Sequence, residues 1–317
     1  MVATVVMNPT NVVQDGLNNK LEYSFPNSVS FPNHEIAIQS INMFYSWQNI
    51  NDSTLNNNLF YYQWNNNNAP GYVTVGAFYF YPVLIPPGLY ELSDINKYLQ
   101  WTFINNGHYF TNGAGENLYM MEMVINTSEY AVQINSFAGS SIPSGFTAPV
   151  PENITITTGC MGQFVFTDPY SYTLDPTTYK SLNFANVVGF PLFPSYNDFA
   201  SYQPTSTSNL STVAPQIQPN PILYVSISNI ENKYASPSTI IGVVSPQVAF
   251  GELIVEVPPQ FAWNKLFPGT YNGLRLSLVA SNSSQIEILD PNITIVLVIR
   301  DRNDINVKDI LGQQKKI

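Results

Sequence analysis

A two-residue alternation of apolar and polar positions is the dominant pattern of the chain from about residue 35 onward. It is clearest in ILYVSIS (222–228), ELIVEV (252–257) and GLRLSLVA (273–280). Because successive side chains of a strand point to opposite faces of a sheet, each of these segments is predicted to be a half-buried strand. The apolar faces consist of Leu223, Val225 and Ile227, of Leu253, Val255 and Val257, and of Leu274, Leu276 and Leu278, while Arg275 and Ser277 point outward. NITIVLVIR (292–300) is apolar on both faces, so we expect it inside a sheet.

Further strand patterns precede these. EIAIQSINMFYS (35–46) alternates until Ser40 and Ile41, where the phase slips in the way that is typical of a β-bulge. Five more strands are predicted at 72–82 (closed by Pro82), 118–126, 130–135, 153–158 and 163–167, with a hairpin turn at Thr-Ser-Glu between the second and third. At least eight strands with long connections predict an all-β fold, which we interpret as a single jelly-roll β-sandwich.

One short helix interrupts this pattern after the turn at residues 82–90. In IPPGLYELSDINKYLQ (85–100), the Pro-Pro-Gly turn is followed by Ser93, a plausible N-cap. An apolar stripe then falls at helical spacing and consists of Ile95, Tyr98, Leu99 and Phe103. Asn105-Asn106-Gly107 is a suitable stop. A single amphipathic helix is not stable alone, so we expect it to cover an open end or edge of the sandwich.

The segments without regular alternation define the expected domain boundaries. Residues 1–33 are predicted to be an extended N-terminal arm, residues 34–300 the jelly-roll domain, and residues 301–317 a polar C-terminal tail. The stretch from about 137 to 220 exceeds a minimal jelly roll and is interpreted as an irregular insertion, since residues 194–221 are rich in Pro, Ser and Thr.

Charge is scarce along the chain. Charged residues make up 10% of the sequence, against about 25% in typical soluble domains, and the formal net charge is −10. Neutral surface is less costly to desolvate against a partner, which favours burial in an assembly; asparagine-rich codon usage would give the same composition. The excess of acidic residues argues against a protein that coats nucleic acid. Five of the eleven basic residues lie at the end of the chain (Arg300, Arg302, Lys308, Lys315 and Lys316), and we favour a solvated or partner-docking tail over a DNA-binding one.

Cys160 is the only cysteine, so no intrachain disulfide can form, as expected for assembly in a reducing compartment. The first residues lack a basic region and a long apolar core, so we expect no signal peptide. No apolar run reaches the length of a membrane span.

Residues suited to catalysis or metal binding are sparse. His34 and His108 are the only histidines and have no zinc-site spacing; His34 is interpreted as a surface partner of Glu35. Gly113 and Gly115 are interpreted as turn residues, because no helix pattern follows to form a phosphate site. We therefore predict no catalytic, cofactor-binding or metal-binding residue.

Two features of the sequence bear on the alternative functions. Glu252 and Glu256 lie on one predicted strand, roughly 13 Å apart at ~3.3 Å per residue, beyond the ~5–9.5 Å that glycosidases use. Tyr61, Tyr62 and Trp64 stand between two asparagine runs, and we favour a hairpin packed on a neighbouring subunit over a sugar-binding or receptor-facing tip.

Three segments together resemble a known family. They are HEIAIQSINMFYSWQNI (34–50), IPPGLYELSDINKYLQ (85–100) with Asn96 and Leu99, and SLNFANVVGFP (181–191). Their order is similar to that in the penton, or minor capsid, proteins of virophages and related Polinton-like viruses. The resemblance covers most of residues 34–300 and carries fold and packing roles, with no catalytic residue to transfer.

The resemblance implies a non-enzymatic structural protein that forms the pentameric vertex capsomer of an icosahedral double-stranded DNA virus. The expected partners are copies of the chain and trimers of a major capsid protein, and an internal minor capsid protein is a further candidate. No cofactor, no specific nucleic-acid binding and no membrane span are expected, and the expected location is the virion vertex, after assembly inside the infected host cell. The alternatives are a carbohydrate- or receptor-binding β-sandwich on a viral spike, and a glycoside hydrolase or lyase.

Overall fold

A computed structural model describes residues 2–64, 74–75, 78–149, 159–166, 180–190, 206–218, 220–280 and 285–304. The chain divides into two compact units, one formed by Met1–Gln48 with Asn220–Ile317 and the other by Asn49–Pro219. We call them the roll unit and the inserted unit. Both are built mainly from antiparallel strands, so the predicted all-β class is confirmed.

The roll unit contains eleven described strands. They are β1 Val2–Met7, β2 Val12–Gln14, β3 Lys20–Phe31, β4 His34–Phe44, β14 Leu223–Ile227, β15 Ile230–Glu231, β16 Ile240–Val244, β17 Leu253–Glu256, β18 Asn264–Leu266, β19 Gly269–Ala280 and β20 Thr294–Asp301. The first sheet has the order β1-β20-β4-β18-β15, with β17 also paired to β4. The second has the order β16-β14-β19-β3-β2. The last strand thus lies between the first and the fourth, and β19 lies between β3 and β14, which is the pairing order of a jelly roll.

The predicted alternation in this unit is confirmed in most strands. Every residue of the predicted apolar faces of β14 and β19 is buried, namely Leu223, Val225, Ile227, Leu274, Leu276 and Leu278. β20 is central, between β1 and β4, as its two apolar faces predicted. The phase slip in β4 is a bulge at Gln39, because Ser40 pairs with Val296 whereas Ile38 pairs with Leu297.

The predicted N-terminal arm is wrong for the described residues. β1 pairs with β20 along all six of its residues, and β3 pairs with β19, so residues 2–31 supply strands to both sheets of the roll. Strand β3 was not predicted from the sequence because its middle is bulged. Ser24 and Val29 are paired with Gly273 and Tyr271, which leaves the intervening residues, including Pro26, outside the regular ladder.

The expected insertion also begins earlier than predicted. The inserted unit starts at Asn49, five residues after the end of β4, and ends before β14, so it spans residues 49–219 instead of about 137–220. Its first half carries the same strand alternation as the roll, which is why periodicity did not separate the two units. Of the predicted tail, residues 302–304 form a 3-10 turn, and residues 305–317 lie outside the described residues.

The inserted unit contains nine described strands and two α-helices. The strands are β5 Leu59–Trp64, β6 Thr74–Val75, β7 Phe78–Leu84, β8 Phe110–Thr111, β9 Asn117–Leu118, β10 Met121–Asn126, β11 Ala131–Ser136, β12 Gly162–Val165 and β13 Thr207–Leu210. The helices are α1 Leu92–Asn106 and α2 Lys180–Val187, where only one helix was predicted. The sheets have the orders β12-β5-β7-β6, β10-β11-β13 and β8-β9. The predicted strand at 153–158 lies outside the described residues.

Helix α1 confirms the predicted stripe, because Ile95, Leu99 and Phe103 are fully buried, and it ends at Gly107 in the left-handed conformation. Its start differs from the prediction. Glu91 is the N-cap residue instead of Ser93, and its N–H donates to the Asp94 carboxylate at 3.2 Å. The helix packs on β10, and its buried face is part of the core of the inserted unit.

The aromatic run in β5 is a core strand, and it is neither the hairpin packed on a neighbouring subunit that we favoured nor the exposed tip that was the alternative. Tyr62 and Trp64 are buried, and β5 pairs with β7 on one side and β12 on the other. Phe60 stacks on Phe184 of α2 with ring centroids 4.3 Å apart. The flanking asparagines supplied the misleading signal.

Candidate assembly surfaces

The two edges of the roll are apolar and nearly free of charge. Edge I is formed by β1 and β2, which end the two sheets on one side. Edge II is formed by β16, which ends the second sheet on the other side, and by β17, which pairs with β4 of the first sheet beside β18. Val2 and Val13 at edge I are 64% and 70% exposed, and Val255 at edge II is 57% exposed. Sheet edges are normally protected by Lys, Pro or a covering element, because unpaired strands invite association. β1, β2 and β16 contain no charged residue at all.

In β17 the predicted apolar face does not point into the core. Its predicted apolar face, Leu253, Val255 and Val257, is exposed, and Ile254 between them is buried instead. Ile254 pairs with Met43, whose side chain lies in the core, whereas Val255 pairs with Asn42 on the outer face. The apolar side of β17 therefore faces away from the core.

The outer face of the first sheet continues this neutral surface from edge to edge. Cross-strand partners share a face, so Val6 lies beside Val296, Val296 beside Ser40, and Leu253 beside Phe44. The outer face of the second sheet differs, because Glu22 and Arg275 form an exposed ion pair there with Oε1 and Nε 2.7 Å apart. Only the first sheet has the composition of a surface that is readily desolvated.

One end of the first sheet carries a cluster of charged side chains. The Glu35 carboxylate accepts from Arg300 at 2.9 Å and pairs with Arg302 at 3.0 Å, and the Arg300 guanidinium lies 3.9 Å from the Trp263 ring centroid. The Glu35 side chain is 13% exposed, so it is not the surface partner of His34 that the sequence suggested. Two arginines hold it instead.

A partly open apolar cavity lies at edge II. Its volume is about 230 Å³, and its lining consists of Ile38, Ile41, Ile241, Gly242, Val243, Glu256, Pro258, Pro259 and Ala262. It forms because β17 pairs with residues 41–44 of β4 and β18 with residues 35–36, while the connection between β17 and β18 leaves the sheet. A Cβ at Gly242 would lie 2.5 Å from Ile38 Cδ1, so a larger residue there would displace the end of that side chain.

The inserted unit contains a buried histidine. His108 Nδ1 is hydrogen-bonded to Tyr62 Oη at 2.8 Å, and its ring stacks on Trp64 with centroids 4.8 Å apart. Asn106 donates to the same Tyr62 oxygen at 2.7 Å. Burial without a carboxylate partner lowers the pKa of His108 to about 3, so the imidazole is neutral at physiological pH. This is a structural histidine.

Asn49 ties the beginning and the end of the inserted unit together. Its Nδ2 donates to Tyr90 O at 2.7 Å and to Ile217 O at 2.6 Å, and its Oδ1 accepts from Tyr90 N at 2.9 Å. Asn49 and Tyr90 belong to the first two segments that resemble penton proteins. From the third, Asn183 donates to Leu55 O and Asn56 O, so all three segments meet around residues 49–58. Their side chains serve folding and packing.

Groups that could support chemistry are dispersed. Glu256 is the last residue of the edge strand β17, and Glu252 lies just before that strand. Gly115 lies in a turn, as predicted, with φ of 81°. Burial raises the pKa of the Cys160 thiol, which makes it a poor nucleophile. Among the described residues no cluster of three His, Cys, Asp or Glu side chains could hold a metal ion, and within the same residues no helix has the length and apolarity to cross a membrane.

Comparison with known proteins gives similarity at the level of structure only. No family model matches the chain, and no curated protein matches it. The chain is similar to the mavirus penton protein with a TM-score of 0.40 and 8% identity, over 94% of this chain and 99% of that one. It is also similar to the Sputnik virophage structure solved by cryo-EM, with a TM-score of 0.35 and 12% identity, over 95% and 98% of the two chains. The first of these structures is that of a penton protein, the class that the three sequence segments resemble.

Proposed function

We propose that this chain is a structural capsid protein that forms a homopentameric capsomer at the vertex of an icosahedral double-stranded DNA virus. The observation that carries the proposal is the pair of exposed apolar edges on opposite sides of the roll, whose strands β1, β2, β16 and β17 contain one charged residue, Glu256. Two different surfaces that meet head to tail form a heterologous contact, which closes into a ring when the rotation per subunit divides a full turn. The sequence resemblance to penton proteins supplies the expectation that the ring has five members.

The distribution of charge over the surface favours self-association. A chain with a formal charge of −10 repels its own copies unless the touching surfaces are neutral. Edge I meets that condition, and edge II meets it apart from Glu256. This role requires no catalysis, no cofactor and no specific nucleic-acid binding. The further partners in this proposal are major capsid protein trimers and an internal minor capsid protein, and the location is the virion vertex after assembly in the host cell.

The proposal is tested by placing one charge on each edge separately. Val6→Glu alters edge I and Val255→Glu alters edge II, and we expect each variant to lose the ring, because a carboxylate desolvated without a partner costs several kcal/mol. In a mixture, the intact edge II of the Val6→Glu variant can still bind the intact edge I of the Val255→Glu variant. Light scattering of the mixture should therefore show heterodimers. Ring assembly by either variant alone would contradict a head-to-tail contact between these edges.

A carbohydrate- or receptor-binding function is the second candidate, and one observation favours it. On the outer face of β10 and β11, Asn126, Gln133, Asn135 and Glu122 form a chain of side-chain hydrogen bonds of 3.2, 2.9 and 2.8 Å. Tyr130, in the adjoining turn, is 74% exposed. Amides beside an exposed aromatic ring are suited to binding a sugar. Clear glycan-array binding by a monomeric chain, lost in Tyr130→Ala, would favour this function over the first.

A further inference from the structure

The cavity at edge II is an apolar gap between the two sheets of the roll. β16 of the second sheet lines it on one side, and β4 with the connection between β17 and β18 lines it on the other. Its volume of about 230 Å³ exceeds the ~150 Å³ of a cavity that accepts benzene, and it falls below the ~300–1,000 Å³ of ordinary ligand pockets. Of its nine lining residues only Glu256 is charged. The cavity is therefore suited to one or two aliphatic side chains.

The C-terminal tail leaves the described part of the roll close to this cavity. Arg302 N donates to Asn33 O at 3.0 Å, so the turn after β20 is held beside the start of β4. Ile38, which lines the cavity, lies five residues beyond Asn33, or about 17 Å at ~3.3 Å per residue. An extended chain that continues from Asp304 covers that distance within about six residues. Residues near position 310 can therefore reach the cavity.

The residues that follow Asp304 have the composition that the cavity requires. We call residues 305–317, INVKDILGQQKKI, the tail segment; its aliphatic residues before Gly312 are Ile305, Val307, Ile310 and Leu311. Three lysines and one aspartate give the segment a net charge of +2, whereas the whole chain carries −10. The only charged residue of the cavity lining is the acidic Glu256, so the segment and the site have opposite charges.

We infer that the cavity receives Ile310 and Leu311 of the tail segment of the same chain, and that the docked segment closes the gap between the sheets at edge II. A tethered segment has an effective concentration in the millimolar range, which favours it over the tail segment of a second copy in dilute solution. The inference does not depend on the proposed ring, because Val255, which the ring test alters, faces outward from the first sheet.

A cysteine pair tests this contact in the full chain. Ala262→Cys with Ile310→Cys places one thiol at the cavity and one in the tail segment, while the native Cys160 is buried. Under a mild oxidant we expect a disulfide within one chain, identified by mass spectrometry of the linked peptides. The matched control is Ser30→Cys with Ile310→Cys, since Ser30 is exposed and only three residues before Asn33 but does not line the cavity. Equal cross-linking of the two pairs, none in the first, or a disulfide between two chains would overturn the inference.

Hydrogen exchange with mass spectrometry supplies the second measurement. Ile310→Glu with Leu311→Glu should release the tail segment, because a carboxylate is costly to bury in an apolar cavity. We expect the amides of residues 240–244 and 256–262, around the cavity, to exchange about tenfold faster. Gln313→Glu with Gln314→Glu is the matched control, since it adds the same charge to the same segment beyond the aliphatic residues. It should leave these amides unchanged. Equal acceleration in both variants, or none in the first, would overturn the inference.

Discussion

Replacing Asn49 should loosen the inserted unit from both of its ends. The side chain is 2% exposed and makes three hydrogen bonds, two to Tyr90 and one to Ile217. At roughly 1 kcal/mol net for each bond, Asn49→Ala should destabilise this unit by about 3 kcal/mol. Asn49→Asp should cost more at neutral pH, because a carboxylate would replace the amide group that faces two carbonyl oxygens.

The assay is hydrogen exchange of the full chain, followed by mass spectrometry of peptides from α1 and β10. A loss of 3 kcal/mol corresponds to an increase of about 150-fold in exchange that proceeds through opening of the unit. Asn232→Ala is the matched control, since Asn232 donates to Ile240 O and accepts from Tyr234 N within the roll unit. It should leave these peptides unchanged. An increase below threefold in Asn49→Ala, or a milder effect in Asn49→Asp, would refute the reasoning.

Three further predictions concern single residues. His108 gains a proton at about pH 6.5 in the unfolded chain, but in the folded chain only near its pKa of about 3. The stability of the inserted unit should therefore fall by about 1.4 kcal/mol for each pH unit below 6.5. In thermal melts at several pH values, His108→Gln should show a smaller slope than the wild type, and an equal slope would contradict this prediction. Gly189→Ala should destabilise by about 1–3 kcal/mol, because φ is 80° and a Cβ would lie 2.4 Å from Val213 O, and an unchanged melting temperature would count against this. Glu35→Gln should lower the stability of the roll unit by about 1–3 kcal/mol, measured by denaturant titration, since Arg300 and Arg302 lose a partly buried carboxylate; no change would show that the pair is fully compensated by water.

The sequence was most informative where a local period and the final packing agree. The stripe of α1, the buried faces of β14 and β19, and the central position of β20 followed from spacing alone, because each element buries its own apolar side. Even the bulge in β4 was visible as a phase slip. The helix start was missed by two residues, because Glu91 and Asp94 cap it with a reciprocal arrangement that the sequence shows only weakly.

Tertiary information was needed for the rest. Alternation shows that one side of β17 is apolar but not whether that side meets the core or a partner, and here Val255 faces outward. Strand β3 was missed because the bulge around Pro26 breaks its alternation. The cavity at Gly242 was invisible for a different reason: it depends on two strands pairing with separate parts of β4, a contact between residues far apart in sequence.

The central claim is that unlike edges of one roll join copies of the chain into a closed ring. Native mass spectrometry of the purified chain over a range of concentrations tests it most directly. The account predicts one dominant species with five times the chain mass and no stable dimer along the way to it. A monomer that persists at high concentration, or a terminal dimer, would contradict it.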